Sequence, residues 1–367
     1  MFGMTTVWVT VGMAGLLLAS PMLTEPAAAC SRILWNTNKQ AVIVARSMDW
    51  SVPFGDRLVR NPRGISMQGW VGTQAATWVS RYGSVVVVPY EFSVTYQQKI
   101  KDDQAGAKAG DPLVDGSSEG MNEKGLAVHL LYLGATKHGE QDTDKPLVHP
   151  ARLLRYVLDN FASVSDAVAA LENIQIVPGS PFPEHMAMDD ATGDSAIIEF
   201  IENRMEVHHG RQYTVLTNDP IYSAQMENLK RYKAFGGTLE ELPGGIEPSD
   251  RFVRAAAFLQ TLPEPRDKTE AVAYLKSVIR NVSVPFGAVY RSLPASSTYP
   301  TWWTSISDLT NRIFYFHMTC SLNGMWVTLR DEDFAAGKPI RVLDPRQADL
   351  VGDVTHKFEP ATTRTQD

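Results

Sequence analysis

The residue with the most distinctive chemical setting is Cys30, which follows three consecutive alanines that end at Ala29. An apolar run at residues 7–18 precedes them, and this arrangement is typical of a secretory signal peptide with a small-residue cleavage site. Cleavage after Ala29 would give Cys30 a free α-amine beside its thiol. Because the amine can take up the thiol proton, this one residue would supply the nucleophile and the base for attack on an amide.

Two charged residues, Arg46 and Asp49, come together at the end of the second predicted strand. A hairpin between the first two strands would bring both near Cys30. The fixed positive charge of Arg46 is then expected to lower the pKa of the thiol. The carboxylate of Asp49 is expected to accept hydrogen bonds from the α-ammonium. The alternative is an ordinary surface ion pair between the two residues, which would add little stability.

Asn218 and Arg251 are the next candidates along the chain. Asn218 ends an apolar strand shortly before Pro220, where its side-chain amide could donate to a developing oxyanion. A plain turn asparagine is the alternative. Arg251 falls in the first turn of a predicted helix, where a cation opposes the helix dipole. A functional reason for this arginine is therefore expected.

Other kinds of site have weaker support in the sequence. The segment 116–120 (GSSEG) matches the G-x-S-x-G pattern, but that nucleophile elbow needs a strand before it and a helix after it. The histidines lack the spacing of zinc ligands, so neither a metal nor another cofactor is expected. The net charge of −7, with no basic run among aromatics, argues against nucleic acid as a partner. The expected partner is a small-molecule amide substrate.

The cysteine content leaves two alternatives to a nucleophile. Cys30 and Cys320 are the only cysteines in the sequence, and an oxidising compartment would allow a disulfide between them. Alternatively, Cys30 would carry a lipid, and the protein would be a membrane-anchored binding lipoprotein. The alanine at position 27 departs from the leucine that is usual in a lipoprotein signal. Without a lipid, no membrane association is expected once the leader is removed.

The hydrophobic patterns predict an α+β fold. Strands occur in antiparallel clusters with helices grouped between them, which favours two stacked antiparallel sheets with helices on the outer faces. Hairpins are predicted at 31–45 and 76–88. The expected organisation is a signal peptide at 1–29 and a single domain at 30–367, with a loose tail after about residue 345. Predicted helices lie at 150–161, 165–172, 222–235, 250–262 and 268–279.

Five motifs in order make the sequence similar to a known family. They are Cys30 after a removable leader, ARSMDW at 45–50, GMNEKGL at 120–126, LTNDP at 216–220 and SDRFVR at 249–254. Together they resemble the choloylglycine hydrolase family, which includes penicillin V acylases and bile salt hydrolases. The resemblance implies a four-layer αββα N-terminal-nucleophile hydrolase fold.

The resemblance also implies a role for each candidate. Cys30 corresponds to the nucleophile, and its own α-amine corresponds to the base. Arg46 and Asp49 resemble the pair that positions and tunes the nucleophile. Asn218 resembles the oxyanion asparagine, and Arg251 resembles the arginine found beside the nucleophile.

The same resemblance bears on substrate and location. Tyr132 stands at an oxyanion-side position where penicillin V acylases often have tyrosine and bile salt hydrolases tend to have asparagine. Trp50, Tyr132, Trp78 and Phe54 are expected to form an apolar acyl pocket. A form exported by means of a leader resembles the Gram-negative branch of the family. That branch is associated with penicillin V and with long-chain N-acyl homoserine lactones. A periplasmic or secreted homotetramer that cleaves such amides is therefore expected, with bile salt hydrolysis as the alternative.

Overall fold

A computed structural model gives the structure of the protein. It describes residues 30–69, 72–103, 111–114, 116–139, 144–177, 183–290 and 298–361. The predicted signal peptide, residues 1–29, lies outside the described residues.

The described chain forms twenty strands and six α-helices. The strands are β1 Ser31–Trp35, β2 Ile43–Asp49, β3 Arg57–Asn61, β4 Ser66–Gln68, β5 Thr77–Val79, β6 Ser84–Val88, β7 Glu119–Asn122, β8 Ala127–Tyr132, β9 Leu147–Val148, β10 Gln175–Ile176, β11 Glu184–Asp189, β12 Ser195–Ile201, β13 Arg204–His209, β14 Val215–Thr217, β15 Thr301–Asp308, β16 Ile313–Met318, β17 Met325–Thr328, β18 Arg341–Leu343, β19 Gly352–Asp353 and β20 Glu359–Pro360. The helices are α1 Tyr90–Asp103, α2 Pro150–Asn160, α3 Val164–Leu171, α4 Tyr222–Leu229, α5 Pro248–Thr261 and α6 Lys268–Val282.

Two large sheets form the centre of the molecule. The first has seven strands in the order β14-β1-β2-β15-β16-β17-β19, and the second has nine in the order β13-β12-β11-β8-β7-β6-β3-β18-β20. Neighbouring strands in both sheets are antiparallel, with β17 and β19 as the exception. The predicted antiparallel sheets are therefore confirmed.

Helices cover the outer faces of both sheets. α5 and α6 contact strands of the first sheet, whereas α2 and α3 contact strands of the second. The two inner faces meet in a core to which both sheets contribute, for example Leu34 from β1 and Leu131 from β8. The layers therefore run helices, sheet, sheet, helices, which confirms the αββα prediction.

The local sequence accounts for where the helices begin. Ser163 accepts a hydrogen bond at the start of α3, and Asp267 does the same at the start of α6. Pro150 and Pro248 occupy the first positions of α2 and α5, where a missing N–H costs nothing. These capping residues and prolines determine where the helices that flank the sheets begin.

The first two strands form the predicted hairpin. In its register Ser31 lies opposite Ser47, and Arg32 lies opposite Arg46. All seven residues of β2 are buried, because the layers on both sides of the sheet exclude water. Each polar side chain on this strand therefore requires a partner inside the protein.

Two predictions about the elements are wrong. The segment at 84–88 is a strand, but it pairs with β3 and β7, whereas β5 pairs with β4 in a separate small sheet. The chain from residue 346 to residue 361, where the described part ends, is not loose. It adds β19 and β20 to the two sheets, and it buries Leu350, Val354 and Phe358 at a spacing of four residues.

Among the residues that the structure describes, the helices are too short or too polar for any to span a bilayer.

Candidate active site

Cys30 lies directly before β1, with 3% of its surface exposed. Its Sγ atom is 3.8 Å from Nη2 of Arg46 and 3.8 Å from Sδ of Met48. Its backbone N–H donates to Oδ1 of Asn218. The structure thus brings together the thiol, the nitrogen that would become the α-amine, Arg46 and Asn218.

Arg46 approaches the thiol from the space between the sheets. Its Nη1 donates to the carbonyl oxygen of Ser118 at 2.7 Å, and its Nη2 donates to that of Leu130 at 2.7 Å. Oε2 of Glu119 lies 3.3 Å from Nη1 of Arg46 and supplies the counter-charge. These contacts with the second sheet fix the guanidinium beside the sulfur.

The expected effect of Arg46 on the thiol is present but is not the dominant one. Burial raises the pKa of Cys30, and although Arg46 acts in the opposite direction, the net shift is upward. A buried thiol of this kind is protonated at neutral pH. Its attack on a carbonyl therefore requires a nearby base.

Asp49 lies on the side of the first sheet that faces α5. Its carboxylate accepts hydrogen bonds from the hydroxyls of Thr301 and Ser47, and Nη1 of Arg251 is 3.5 Å away. Burial raises the pKa of Asp49 to about 6, against the opposing effect of Arg251. The nitrogen of Cys30, a peptide N–H in this chain, donates to Asn218. A hydrogen bond from the free α-ammonium to Asp49 stays a prediction.

Asn218 connects the nucleophile with the second sheet. It follows β14, which pairs with β1 and thereby brings Asn218 to Cys30. Its Nδ2 donates to the carbonyl oxygen of Tyr132 at 2.8 Å. An amide nitrogen has two N–H bonds, so one remains for a substrate oxygen.

Arg251 is fully buried in the first turn of α5. Its Nη1 donates to the carbonyl oxygen of Cys30 at 2.9 Å and also contacts the hydroxyl of Ser31. Its Nε donates to the carbonyl oxygen of Ile246 at 2.9 Å. These contacts hold the nucleophile's own backbone and give a reason for a cation where the helix dipole disfavours one.

Aromatic side chains cluster beside Asn218. The ring centroid of Trp50 is 5.9 Å from that of Tyr132 and 5.4 Å from that of Phe54. Trp302 joins them by donating its indole N–H to the carbonyl oxygen of Trp50 at 2.9 Å. The prediction for Trp78 is wrong, because this residue packs in the core between α2 and the second sheet, where its indole donates to Asp159.

The sequence did not reveal a buried charge network between the sheets. His129 lies 3.5 Å from the carboxylate of Glu119 and 3.6 Å from that of Asp189. Glu119 contacts Arg46, and Asp189 contacts Arg32. Burial lowers the pKa of His129. We call these five residues the inter-sheet network. Glu119 directly precedes the GMNEKGL motif, but nothing in the sequence indicates its partners.

The disulfide between Cys30 and Cys320 and the serine nucleophile elbow have no support in the structure. Cys30 is buried and Cys320 is exposed, and both are free thiols. The segment 116–120 runs from a loop directly into β7, so it lacks the strand and helix of a nucleophile elbow. Ser118 takes part through its carbonyl oxygen, which accepts from Arg46.

One group of side chains elsewhere has the composition of a metal site. Glu199, Glu206 and His208 on β12 and β13 each place one ligand atom within 4.8 Å of the others. The carboxylate of Glu199 already accepts hydrogen bonds from His185 and from the backbone of Tyr222. It therefore has protein partners without an ion.

The fold and the site together define a class of enzyme. Two facing antiparallel sheets between helical layers, with a buried cysteine directly before an inner strand, form the architecture of an N-terminal-nucleophile hydrolase. The chain belongs to the choloylglycine hydrolase family of linear amide C–N hydrolases, whose sequence model matches residues 30–343. The match begins at Cys30.

Similar proteins from several bacteria agree with this assignment. A penicillin V acylase from Pectobacterium atrosepticum is 30% identical, over 91% of this chain and 90% of its own. The structure of a penicillin V acylase from Agrobacterium tumefaciens superposes with a TM-score of 0.76 and 32% identity, over 90% of this chain and 98% of its own. A bile salt hydrolase/transferase from Clostridium perfringens is 28% identical, over 54% of this chain and 68% of its own. The chain is accordingly a linear amide hydrolase.

Proposed function

We propose that Cys30, freed by removal of residues 1–29, is the nucleophile of a penicillin V acylase-type amide hydrolase. The observation that carries this proposal is the contact of Cys30 with both Arg46 and Asn218. The thiol, its fixed cation and an amide donor meet at one buried point. Each corresponds to a residue that the family resemblance assigns to catalysis.

The acylation step uses the α-amine as the base. The amine takes up the proton of the Cys30 thiol, and the sulfur attacks the carbonyl carbon of the amide. A new S–C bond forms while the carbonyl oxygen becomes an oxyanion, which the second N–H of Asn218 stabilises. The oxyanion then collapses, the C–N bond breaks, and the α-ammonium returns its proton to the departing amine. A thioester on Cys30 remains.

Deacylation repeats the same proton transfers with water. The α-amine removes a proton from a water molecule, whose oxygen attacks the thioester carbon. Collapse of the second tetrahedral intermediate expels the Cys30 sulfur, which recovers the proton. While residues 1–29 are attached, the nitrogen of Cys30 is part of a peptide bond. The uncleaved chain therefore lacks the base. Removal of the leader therefore activates the enzyme in this mechanism.

The aromatic cluster beside Asn218 supports an apolar acyl group on the substrate. Trp50 and Tyr132 are mostly buried, and Tyr132 contacts Asn218 through its carbonyl oxygen. A phenoxyacetyl group or a fatty acyl chain would pack against such rings. We therefore favour penicillin V or a long-chain N-acyl homoserine lactone as substrate, with a conjugated bile salt as the alternative. The leader would direct the enzyme to the periplasm or the medium.

Substrate preference can be measured directly with three amides. Initial rates with penicillin V, glycocholate and an N-acyl homoserine lactone would give kcat/KM for each. We expect penicillin V or the lactone to exceed glycocholate. A higher value for glycocholate would favour bile salt hydrolysis instead.

The state of the N-terminus tests the proposed activation. Intact mass and N-terminal sequencing of the exported protein should give an unmodified chain that starts at Cys30. A diacylglyceryl adduct on Cys30 would support the lipoprotein alternative, because a lipidated thiol cannot attack an amide. A start at any other residue would remove the proposed base.

A further inference from the structure

We propose that Gln225 is a positioning residue that holds Asn218 in place for oxyanion stabilisation. The inference depends on the role proposed above for Asn218. Gln225 lies in the first half of α4, seven residues after Asn218, and is fully buried. It does not belong to the motifs that identify the family.

The side-chain amide of Gln225 binds the backbone on both sides of Asn218. Its Nε2 lies 2.6 Å from the carbonyl oxygen of Asn218 itself and 2.6 Å from that of Pro220. The carbonyl oxygen of Thr217 is more distant, at 3.4 Å. The two short contacts use both N–H bonds of the amide.

These carbonyl groups need such a donor. The chain leaves β14 at Thr217, so the carbonyls that follow have no ladder partner from that strand. Thr217 and Asn218 are both fully buried, and a buried carbonyl without a partner is costly. Gln225 supplies the missing donors, and this fixes the backbone from which the Asn218 side chain projects.

The other end of the Gln225 amide faces a second part of the site. Its Oε1 is 2.8 Å from the hydroxyl of Thr217, which also lies 3.0 Å from the carbonyl oxygen of Pro248. Pro248 begins α5, the helix that carries Arg251. The hydroxyl of Thr217, with its single proton, thus lies between Gln225 and the start of the helix whose arginine holds the Cys30 carbonyl.

The side chain of Asn218 has little tolerance for movement. Its Oδ1 accepts from the nitrogen of Cys30 and its Nδ2 donates to Tyr132, so both ends of the amide are constrained. A displacement of about 1 Å in a catalytic group can cost about 100-fold in rate. Loss of Gln225 should therefore impair the chemical step more than substrate binding.

The test is Gln225→Met, which preserves length and approximate volume but cannot donate a hydrogen bond. We expect kcat for penicillin V to fall by about 10- to 100-fold, with KM changed by less than about threefold. The rate of Cys30 alkylation by iodoacetamide should remain that of the wild type, because the thiol and Arg46 are untouched. If Gln225→Met does not fold, Gln225→Asn is the second variant, because it retains the amide but shortens its reach. A lower kcat with a nearly unchanged KM is expected there too.

A matched control is available at Asn122, which is also a fully buried amide that binds several backbone groups. Its Nδ2 donates to the carbonyl oxygens of Leu158 and Phe161, and its Oδ1 accepts from Lys124 and Leu126. Asn122→Leu should lower Tm and leave kcat per folded molecule unchanged.

Two outcomes separate the inference from the proposal that it depends on. If Asn218→Ala abolishes turnover while kcat of Gln225→Met stays within about threefold of the wild type, the role of Gln225 is refuted and that of Asn218 stands. If Asn218→Ala itself retains full activity, the proposed oxyanion role fails, and the inference fails with it.

Discussion

Cys30 lies among groups that act on its thiol in opposite directions. Burial and the carboxylate of Asp49 both favour the protonated thiol, whereas Arg46 favours the thiolate. The two charged groups are three residues apart on β2, so they approach from opposite faces of the sheet. This places the cation on the side of the inter-sheet network and the carboxylate on the side of Arg251.

Asp49→Asn should lower the pKa of the Cys30 thiol. The substitution removes a negative charge that opposes the thiolate, and Arg46 remains in place. The pH dependence of Cys30 alkylation by iodoacetamide would then shift towards lower pH. The matched control is Asp308→Asn, since Asp308 is also a buried carboxyl with a raised pKa but pairs with the far end of β2. An unshifted profile in Asp49→Asn would contradict the assigned electrostatics.

The titration of Asp49 also has a defined effect on stability. Burial raises its pKa to about 6 in the folded protein, from about 3.9 in an unfolded chain. The folded state therefore binds the extra proton between these values. Its contribution to stability is fully present below about pH 4 and is lost as pH rises through about 6. Asp49→Asn should remove this component from the pH dependence of the free energy of unfolding.

The elements position these residues through contacts between distant parts of the sequence. β1 and β2 form a local hairpin, which the apolar runs and the turn between them predicted. The approach of β14 to β1 pairs residues more than 180 apart, and nothing in the local pattern indicates it. The pairing of β6 was predicted wrongly for the same reason, because β4 and β5 separate it from β3 in sequence and α1 separates it from β7.

The motifs predicted the site more completely than the patterns predicted the strand pairing. Cys30, Arg46, Asn218 and Arg251 do meet, although the expectation came largely from their order in the chain. Gln225 could not be predicted, because a glutamine in an ordinary helical segment carries no signal until its contacts with the Asn218 turn are known.

The ion pair between Arg32 and Asp189 joins β1 of the first sheet to β11 of the second. Both side chains are fully buried, and Nε of Arg32 donates to Asp189 at 2.9 Å. Asp189→Asn would leave the guanidinium without its counter-charge, and we expect a loss of about 3–5 kcal/mol in the free energy of unfolding by urea. The exposed control Glu227→Gln, which loses a surface pair with Lys230, should change stability by less than about 1 kcal/mol. Equal effects of the two would contradict a structural role for the inter-sheet network.

The segment from residue 346 to residue 361 completes both sheets of the molecule. β19 is the edge strand of the first sheet and β20 is the edge strand of the second. The residues around them bury apolar side chains. The sequence there is polar on average, which suggested a loose tail. The apolar residues are few, but three of them recur every four positions, and this spacing was the missed signal.

Phe358→Ala should destabilise the protein by about 3–5 kcal/mol, since Phe358 is almost fully buried and its removal leaves a cavity. Urea unfolding followed by tryptophan fluorescence would measure the loss. His356→Ala, at an exposed position two residues earlier, is the control and should change stability by less than about 0.5 kcal/mol. A similar small change for Phe358→Ala would mean that the tail does not pack in solution.

The tetramer implied by the resemblance remains a prediction.

The mass of the N-terminal peptide during turnover shows directly whether Cys30 forms the acyl-enzyme. Mature enzyme would be mixed with penicillin V, quenched with acid within the first turnovers and digested. We expect a phenoxyacetyl group on the peptide that begins with Cys30, and neither an adduct nor turnover in Cys30→Ala. An acyl group on another residue, or turnover retained in Cys30→Ala, would contradict it.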